Sequence, residues 1–291
     1  MPTVSAVTGM ISVVTGATSG IGAETALGLA RLGGVVVLVA RNRAKGLRVA
    51  RQLERSTGVE RTFLCLADLS SQAEIRDAAS EILRQFPRID VLVNNAGAYF
   101  ARRRTSPDGI EMNLALNHLA YFSLTLRLTS ALARSPGARI VNVASDAHRP
   151  VTMDFEDLQS ARRYDRLEAY ARSKLGNLLF TYELARRLEG TRITVNAVHP
   201  GAVATNIGAN DSWLKTRLRN LLRSGMLSPA EGARTSLYVA TAEELDGVSG
   251  EYFFECRPTR SSEASYDLDA AARLWEISEG LTGLRWSDLA R

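Results

Sequence analysis

Tyr170 and Lys174, in the run Tyr170-Ala171-Arg172-Ser173-Lys174, stand four residues apart and share one face if the run is helical. A phenol can give or take a proton, but at its ordinary pKa of about 10 it is a poor base near neutral pH. A lysine ammonium one turn away favours the phenolate and lowers that pKa. On their own the two residues read equally well as an amphipathic pair on a helix surface. A second stretch with chemical content lies far upstream, at Thr15-Gly16-Ala17-Thr18-Ser19-Gly20-Ile21-Gly22. It follows the apolar run Met10–Val14, a short buried strand, and precedes Ala23–Leu32, which is apolar at helical spacing. Strand, glycine-rich turn and helix in that order make a phosphate cradle. The glycines let the backbone approach a pyrophosphate, and the free N–H groups of the helix start face the anion. The spacing is TGxxxGxG rather than GxGxxG, and it is the strand–turn–helix context that turns an ordinary glycine turn into a dinucleotide site.

The elements that must position these groups alternate along the chain. Val35–Ala40 is a continuous apolar strand, suited to a parallel sheet covered on both faces. It ends at Arg41-Asn42-Arg43, where a dinucleotide fold meets the adenosine ribose. An acid there would take the 2′-hydroxyl of NAD. Two arginines suit a 2′-phosphate instead, so NADP(H) is favoured over NAD(H), against the plainer reading of solvated arginines at a helix start. A polar helix (43–57) leads to the strand Thr62–Leu66, which ends at Ala67-Asp68-Leu69. Asp68 can accept from an adenine amino group, cap the next helix, or do both. A helix over 72–85 and a strand over 89–93 continue the alternation. The pattern predicts an α/β fold, a doubly wound parallel sheet with helices on both faces. That strand runs into Asn94-Asn95-Ala96-Gly97, small and amide residues at a carboxyl strand end. A long helix from about Gly109 to Ala133 follows, with Asn117 inside it, either solvated or pinned locally.

The strand Ile140–Ala144 ends at Ser145, a polar connection covers 146–166, and Tyr170 opens a helix reaching Leu188. A strand over 193–198 is broken by His199-Pro200-Gly201. Residues 201–227 turn irregular and then amphipathic around Trp213, Leu218 and Leu222, which is where a substrate lid would sit. A surface helix, or a basic face touching a membrane, are the alternatives for this piece. Ser228-Pro229-Ala230-Glu231 starts a helix reaching Ala242, Glu251–Phe254 reads as a last strand, and Asp267–Ser278 as a closing helix. With no repeat and no linker, residues 1–291 read as one domain with a C-terminal helical extension over 261–291.

Of the 291 residues, 45% are hydrophobic and 23% charged, ordinary for a globular protein with a full core. The net charge of +5 is dispersed, its largest clusters being Arg102–Arg104 and Arg217, Arg219 and Arg223. No recognition module accompanies it, so nucleic acid is not an expected partner. Cys65 and Cys256 lack metal-ligand spacing and fit reduced core positions. The sequence carries neither a signal-peptide pattern nor an apolar run of about 20 residues. A cytoplasmic protein without integral membrane association is expected.

Taken together, TGATSGIG at Thr15–Gly22, Asp68, NNAG at Asn94–Gly97, Asn117, Ser145, YxxSK at Tyr170–Lys174, and Pro200-Gly201 with Thr205 resemble the short-chain dehydrogenase/reductase family. Asn113–Phe122 (NLALNHLAYF), Val141–His148 (VNVASDAH), the long gap from Ser145 to Tyr170 and the tail Arg273–Leu284 are similar to its retinol-dehydrogenase-like branch. The resemblance implies a Rossmann-type fold and hydride transfer between NADP(H) and a carbonyl/alcohol pair on a small apolar substrate. An NAD-dependent alcohol dehydrogenase is the alternative, and a non-catalytic dinucleotide sensor a more distant one. It implies Tyr170 as acid/base, with Lys174 lowering its pKa and holding the nicotinamide ribose. Ser145 would donate to the substrate oxygen, and Asn117 would bind a water that links Lys174 to solvent. Gly16, Thr18, Ser19, Gly20, Ile21, Gly22, Arg41, Asn42, Asp68, Leu69, Asn95, Ala96 and Gly97 would line the adenosine and phosphate end. Pro200, Gly201, Val203 and Thr205 would line the nicotinamide end. Ser19 stands where many NADP-dependent members carry a basic residue, which leaves the 2′-phosphate to Arg41 and Arg43. The N-terminal anchor of some animal retinol dehydrogenases has no counterpart here, an expectation against a membrane retinoid. His148 is not expected to be catalytic. The family pairs through the helix after Tyr170, implying a homodimer unless the C-terminal extension covers that face.

Overall fold

Runs of β-branched and other apolar residues build the sheet. Its strands are β1 (Ile11–Thr15), β2 (Val35–Ala40), β3 (Thr62–Leu66), β4 (Val91–Asn94), β5 (Arg139–Val143), β6 (Thr194–His199), β7 (Tyr252–Phe254) and β8 (Arg257–Pro258). The spatial order is β3-β2-β1-β4-β5-β6-β7-β8, parallel from β3 to β7. β8 alone pairs antiparallel, a hairpin the sequence reading lacked. Its two turn residues, Glu255 and Cys256, both adopt positive φ (49° and 59°), the backbone that two-residue hairpins require. The computed structural model describes residues 5, 7–203 and 226–288.

The order of strands reverses between β1 and β4, and such a switch opens a crevice at the carboxyl ends of the strands. Helices α1 (Gly20–Arg31), α2 (Arg43–Thr57) and α6 (Pro229–Thr241) contribute to the core on one face of the sheet. Helices α3 (Gln72–Gln85), α4 (Ala120–Leu132), α5 (Arg166–Arg187) and α7 (Leu268–Thr282) contribute to the other. Among the described residues no helix is long and apolar enough to cross a membrane.

Local capping chemistry sets the helix starts. Asn42, Ser71, Asp165, Ser228 and Asp267 each accept an N–H of the turn they precede. Asp165 accepts from Leu167 N and Glu168 N, so α5 begins four residues before Tyr170 rather than at it. The long helix expected from Gly109 instead starts as a π-turn over Leu114–Leu119 that feeds α4. A bridge between Thr105 and Glu111 keeps residues before it out of the helix. Periodicity in leucines looks alike for the two helix types, which is why the wider turn was not visible in sequence.

The C-terminal helix α7 lies across α5. Ala271 and Leu274 pack on Leu175 and Leu179, while Trp275 stacks on Phe180 and meets Phe122 edge-on. The face of α5 that carries Leu175, Leu179 and Phe180 is therefore covered by the chain's own extension. Beneath it, the Ser278 hydroxyl donates to Leu274 O and so accepts from His118 Nε2 at 3.0 Å. Burial drives the His118 pKa from 6.5 down to about 4. Trp275→Ala is expected to lower the urea-unfolding free energy by about 3–5 kcal/mol, the usual cost of emptying a buried tryptophan site. A separate expectation concerns acid. As pH falls from 6.5 towards 4, the unfolded chain binds a proton at His118 that the folded chain refuses, so stability drains by about 3 kcal/mol across that window. His118→Gln keeps a donor for Ser278 and should flatten that part of the stability profile. An unchanged profile would show that His118 is not its source.

Candidate active site

Three pieces of chain meet at the end of β1. Gly16 turns there with φ +64°, and a Cβ on it would sit 2.8 Å from Ala96 Cα. A Cβ on Gly22 would sit 2.4 Å from Asn95 Nδ2, so both positions need glycine for close approach. Thr15 locks the junction: its hydroxyl accepts from Asn95 N (2.8 Å) and Ala96 N (2.9 Å), and its carbonyl accepts from Asn95 Nδ2 (2.8 Å). Above this junction begins α1. Ser19 precedes it in extended geometry with no side-chain cap, and its first turn carries no acid. The five capped helices satisfy their own first N–H groups; α1 leaves its groups and its positive dipole end to an external anion. A glycine cradle beside an uncapped helix start fits the pyrophosphate of a dinucleotide. Ile21 and Leu69 are buried side chains, so only their backbones could face such a ligand.

At the carboxyl ends of β2 and β3, Arg41 NH1 lies 3.5 Å from Asp68 Oδ2, with the arginine side chain 72% exposed. Burial acts to raise the Asp68 pKa. Hydrogen bonds from Ser70 N and Oγ and the Arg41 charge outweigh it, holding the carboxyl below its ordinary range. Asn42 uses its side chain to cap α2 through Lys45 N. Arg41 and Arg43 are both exposed at this end, and Arg41 is the one held beside Asp68.

The reacting corner forms where β5 ends against α5. The Ser145 hydroxyl lies close enough to the Tyr170 phenol to act on its titration, and it accepts from Ala147 N at 3.2 Å. Tyr99 meets the Tyr170 ring edge-on at 5.9 Å. Lys174 is 4% exposed; its Nζ donates to Val143 O at 2.9 Å and stands 5.8 Å from the Tyr170 ring centroid. A Cβ on Gly97 would lie 3.5 Å from that Nζ and 3.2 Å from Asn117 Oδ1, so the glycine leaves the approach to the lysine open. Burial lowers the Lys174 pKa from 10.5 to about 8. Burial also raises the Tyr170 pKa, and the Ser145 hydroxyl pulls the other way without winning. Desolvation is the larger influence and favours the protonated phenol; the lowering expected from Lys174 belongs to the proposed reaction.

Of the two readings of Asn117, solvated or pinned by hydrogen bonds, the structure shows the second. It is fully buried: Oδ1 accepts from Ala98 N (2.8 Å), and Nδ2 donates to Ala98 O (3.0 Å) and Ser173 Oγ (3.0 Å). One side chain thereby ties the loop after β4 to the π-turn and to α5. Asn94, the first residue of the NNAG run, is structural, donating to Thr125 Oγ1 and Asn142 Oδ1, both at 2.9 Å. Pro200 and Gly201 follow β6, Gly201 with φ +83°, and Val203 bridges to Leu227 beside α6. Thr205 and most of the expected lid, residues 204–225, lie outside the described residues. A groove of about 810 Å³ opens at the amino ends of β5 and β6, between Arg139, Glu189 and Tyr266, and touches none of these site residues. No group of three or more metal-ligating side chains occurs among the described residues.

The family profile of the short chain dehydrogenases matches residues 10–213. The chain is 40% identical to human retinol dehydrogenase 14 over 95% of its own length and 87% of that protein's. It is 41% identical to human retinol dehydrogenase 12 over 96% and 88%. A crystal structure of an uncharacterized protein from Mycobacterium paratuberculosis superposes with a TM-score of 0.80 at 32% identity, covering 97% of each chain. A short chain dehydrogenase from Burkholderia cenocepacia, solved with NADP, superposes at 0.68 with 26% identity over 85% of this chain and 96% of that one. The chain belongs to the short-chain dehydrogenase/reductase family, in its retinol-dehydrogenase-like branch, and is an oxidoreductase of alcohols and carbonyls.

Proposed function

We propose that the protein is an NADP(H)-dependent oxidoreductase that interconverts an apolar aldehyde or ketone and its alcohol, with Tyr170 as the acid/base. The observation that carries this reading is the convergence of Ser145, Tyr170 and Lys174 at the carboxyl end of β5, beside a glycine cradle and an uncapped helix. A bound nicotinamide supplies or accepts the hydride. In reduction, Ser145 donates to the substrate oxygen and holds it at the phenol. Tyr170 gives its proton to that oxygen as the carbon gains the hydride, and the resulting phenolate sits one turn from the Lys174 ammonium. The Asn117 side chain is engaged by Ala98 and Ser173, so a water relay from Lys174 falls to its main chain in the π-turn.

Arg41, an exposed cation beside Asp68, supports NADP(H) by offering a partner to a 2′-phosphate. The names of the relatives support a retinoid-like or terpenoid alcohol/aldehyde pair as substrate. A cytoplasmic location and single-chain operation are part of the same reading, α7 covering the α5 face that would otherwise pair. Isothermal titration with NADPH and NADH tests the cofactor. Arg41→Ala should weaken NADPH roughly tenfold to hundredfold, the worth of one charge-assisted contact, and leave NADH within twofold. Equal loss for both, or tighter NADH binding by the wild type, would overturn the phosphate role. Tyr170→Phe should keep NADPH binding while turnover falls by at least about 10²-fold; retained turnover would remove Tyr170 from the chemistry.

A further inference from the structure

His148 lies three residues beyond Ser145, is fully buried, and takes no part in the reaction drawn above. Its two ring nitrogens have different partners. Nε2 lies 3.0 Å from Ser262 N, a backbone N–H that can only donate, so Nε2 accepts. The ring proton therefore sits on Nδ1, which donates to Ser145 O at 2.6 Å. The backbone N–H of His148 reaches the same carbonyl at 3.2 Å. The turn Asp146–His148 is braced from the side as well: the Asp146 carboxylate accepts from Tyr252 OH (3.1 Å) and Arg149 Nε (3.0 Å).

Ser262 is itself held against α5. Its carbonyl accepts from Ser265 Oγ at 2.6 Å, and Ser265 Oγ bonds Ser261 Oγ at 2.6 Å. Ser261 Oγ bonds Tyr182 OH at 2.7 Å, and Tyr266 stacks on the Tyr182 ring with centroids 5.1 Å apart. Tyr182 and Tyr170 belong to one helix, twelve residues apart. The imidazole therefore closes a circuit from the backbone of Ser145, through the C-terminal segment, back to the helix that carries Tyr170.

We propose that His148 is a positioning residue: as the Nδ1–H tautomer it clamps the Ser145 carbonyl to Ser262 and thereby fixes the Ser145 hydroxyl against Tyr170. The inference rests on the reading of Ser145 as a donor to the substrate oxygen. It assigns the C-terminal segment 261–266 a part in catalysis although that segment touches no reacting atom. Displacing a catalytic hydroxyl by about 1 Å costs on the order of 10²-fold in rate, so the clamp should show in kcat and leave cofactor affinity alone.

The experiment joins a spectroscopic and a kinetic readout on the full chain, with NADPH and retinaldehyde as probes. In 15N-labelled protein, the His148 imidazole should show a protonated Nδ1 and an unprotonated Nε2; the opposite tautomer would overturn the clamp outright. His148→Leu removes both bonds and should lower kcat roughly 10- to 100-fold, with the NADPH Kd within twofold of wild type. His148→Asn can place an amide N–H near the Nδ1 position and should recover a large part of that loss. His148→Gln, which offers no group there, should not. If Leu, Asn and Gln variants lose stability equally and kcat equally, or if His148→Leu turns over like the wild type, His148 is structural only and the proposal fails. Ser145→Ala separates the two levels. Full turnover by that variant would sink the role of Ser145 and with it the catalytic half of the clamp, whereas a dead Ser145→Ala beside a normal His148→Leu sinks the clamp alone.

Discussion

A cation inside the protein constrains the rest of this structure. Lys174 is almost completely buried, and its ammonium has the Val143 carbonyl as its hydrogen-bond partner. Burying an unpaired ammonium costs several kcal/mol, and here that cost appears as the fall of the pKa to about 8, which still leaves the group mainly charged near neutral pH. The faces of Tyr121 and Tyr170, with centroids 5.7 and 5.8 Å from Nζ, soften the cost. Val143 O must therefore stay where the end of β5 puts it, and α5 must run where it delivers the lysine. Tyr170, one turn earlier on α5, arrives beside Ser145 as a consequence.

The hydrogen-bond economy of the helix ends points the same way. Side chains cap α2, α3, α5, α6 and α7, while α1 begins beside the glycine cradle without a side-chain cap. Around the site, amides and hydroxyls are paired internally: Asn117 with Ala98, Thr15 with the loop after β4, Asn94 Nδ2 with Asn142. The C-terminal extension joins this pattern through two neutral histidines, His118 under α7 and His148 beside Ser145. Extension and reacting corner are thus parts of one packed unit.

Much of this was legible in the sequence because the signals were redundant. Continuous apolar runs such as Val35–Ala40 announced parallel strands, and Ser228-Pro229-Ala230-Glu231 announced a helix start whose capping box the structure contains. Three features were hidden for physical reasons. The π-turn around Asn117 differs from an α-helix by one residue in hydrogen bonding, which leucine spacing does not register. The sign of the Tyr170 shift depends on how deeply the phenol is desolvated, a tertiary property that local spacing with Lys174 cannot supply. The place of His148 depends on Ser262, 114 residues away, so no local motif marks it. The signal that could have pointed to it was a histidine three residues past a strand-end serine.

The central claim is that this site moves a hydride onto a carbonyl carbon while Tyr170 supplies the proton. The direct test is turnover of retinaldehyde with NADPH deuterated at the nicotinamide C4 transferring position, followed by mass spectrometry of the product. The account predicts one deuterium per alcohol formed, on the carbinol carbon, with no product from the Tyr170→Phe variant. Alcohol formed without deuterium, or formed equally by that variant, would contradict it.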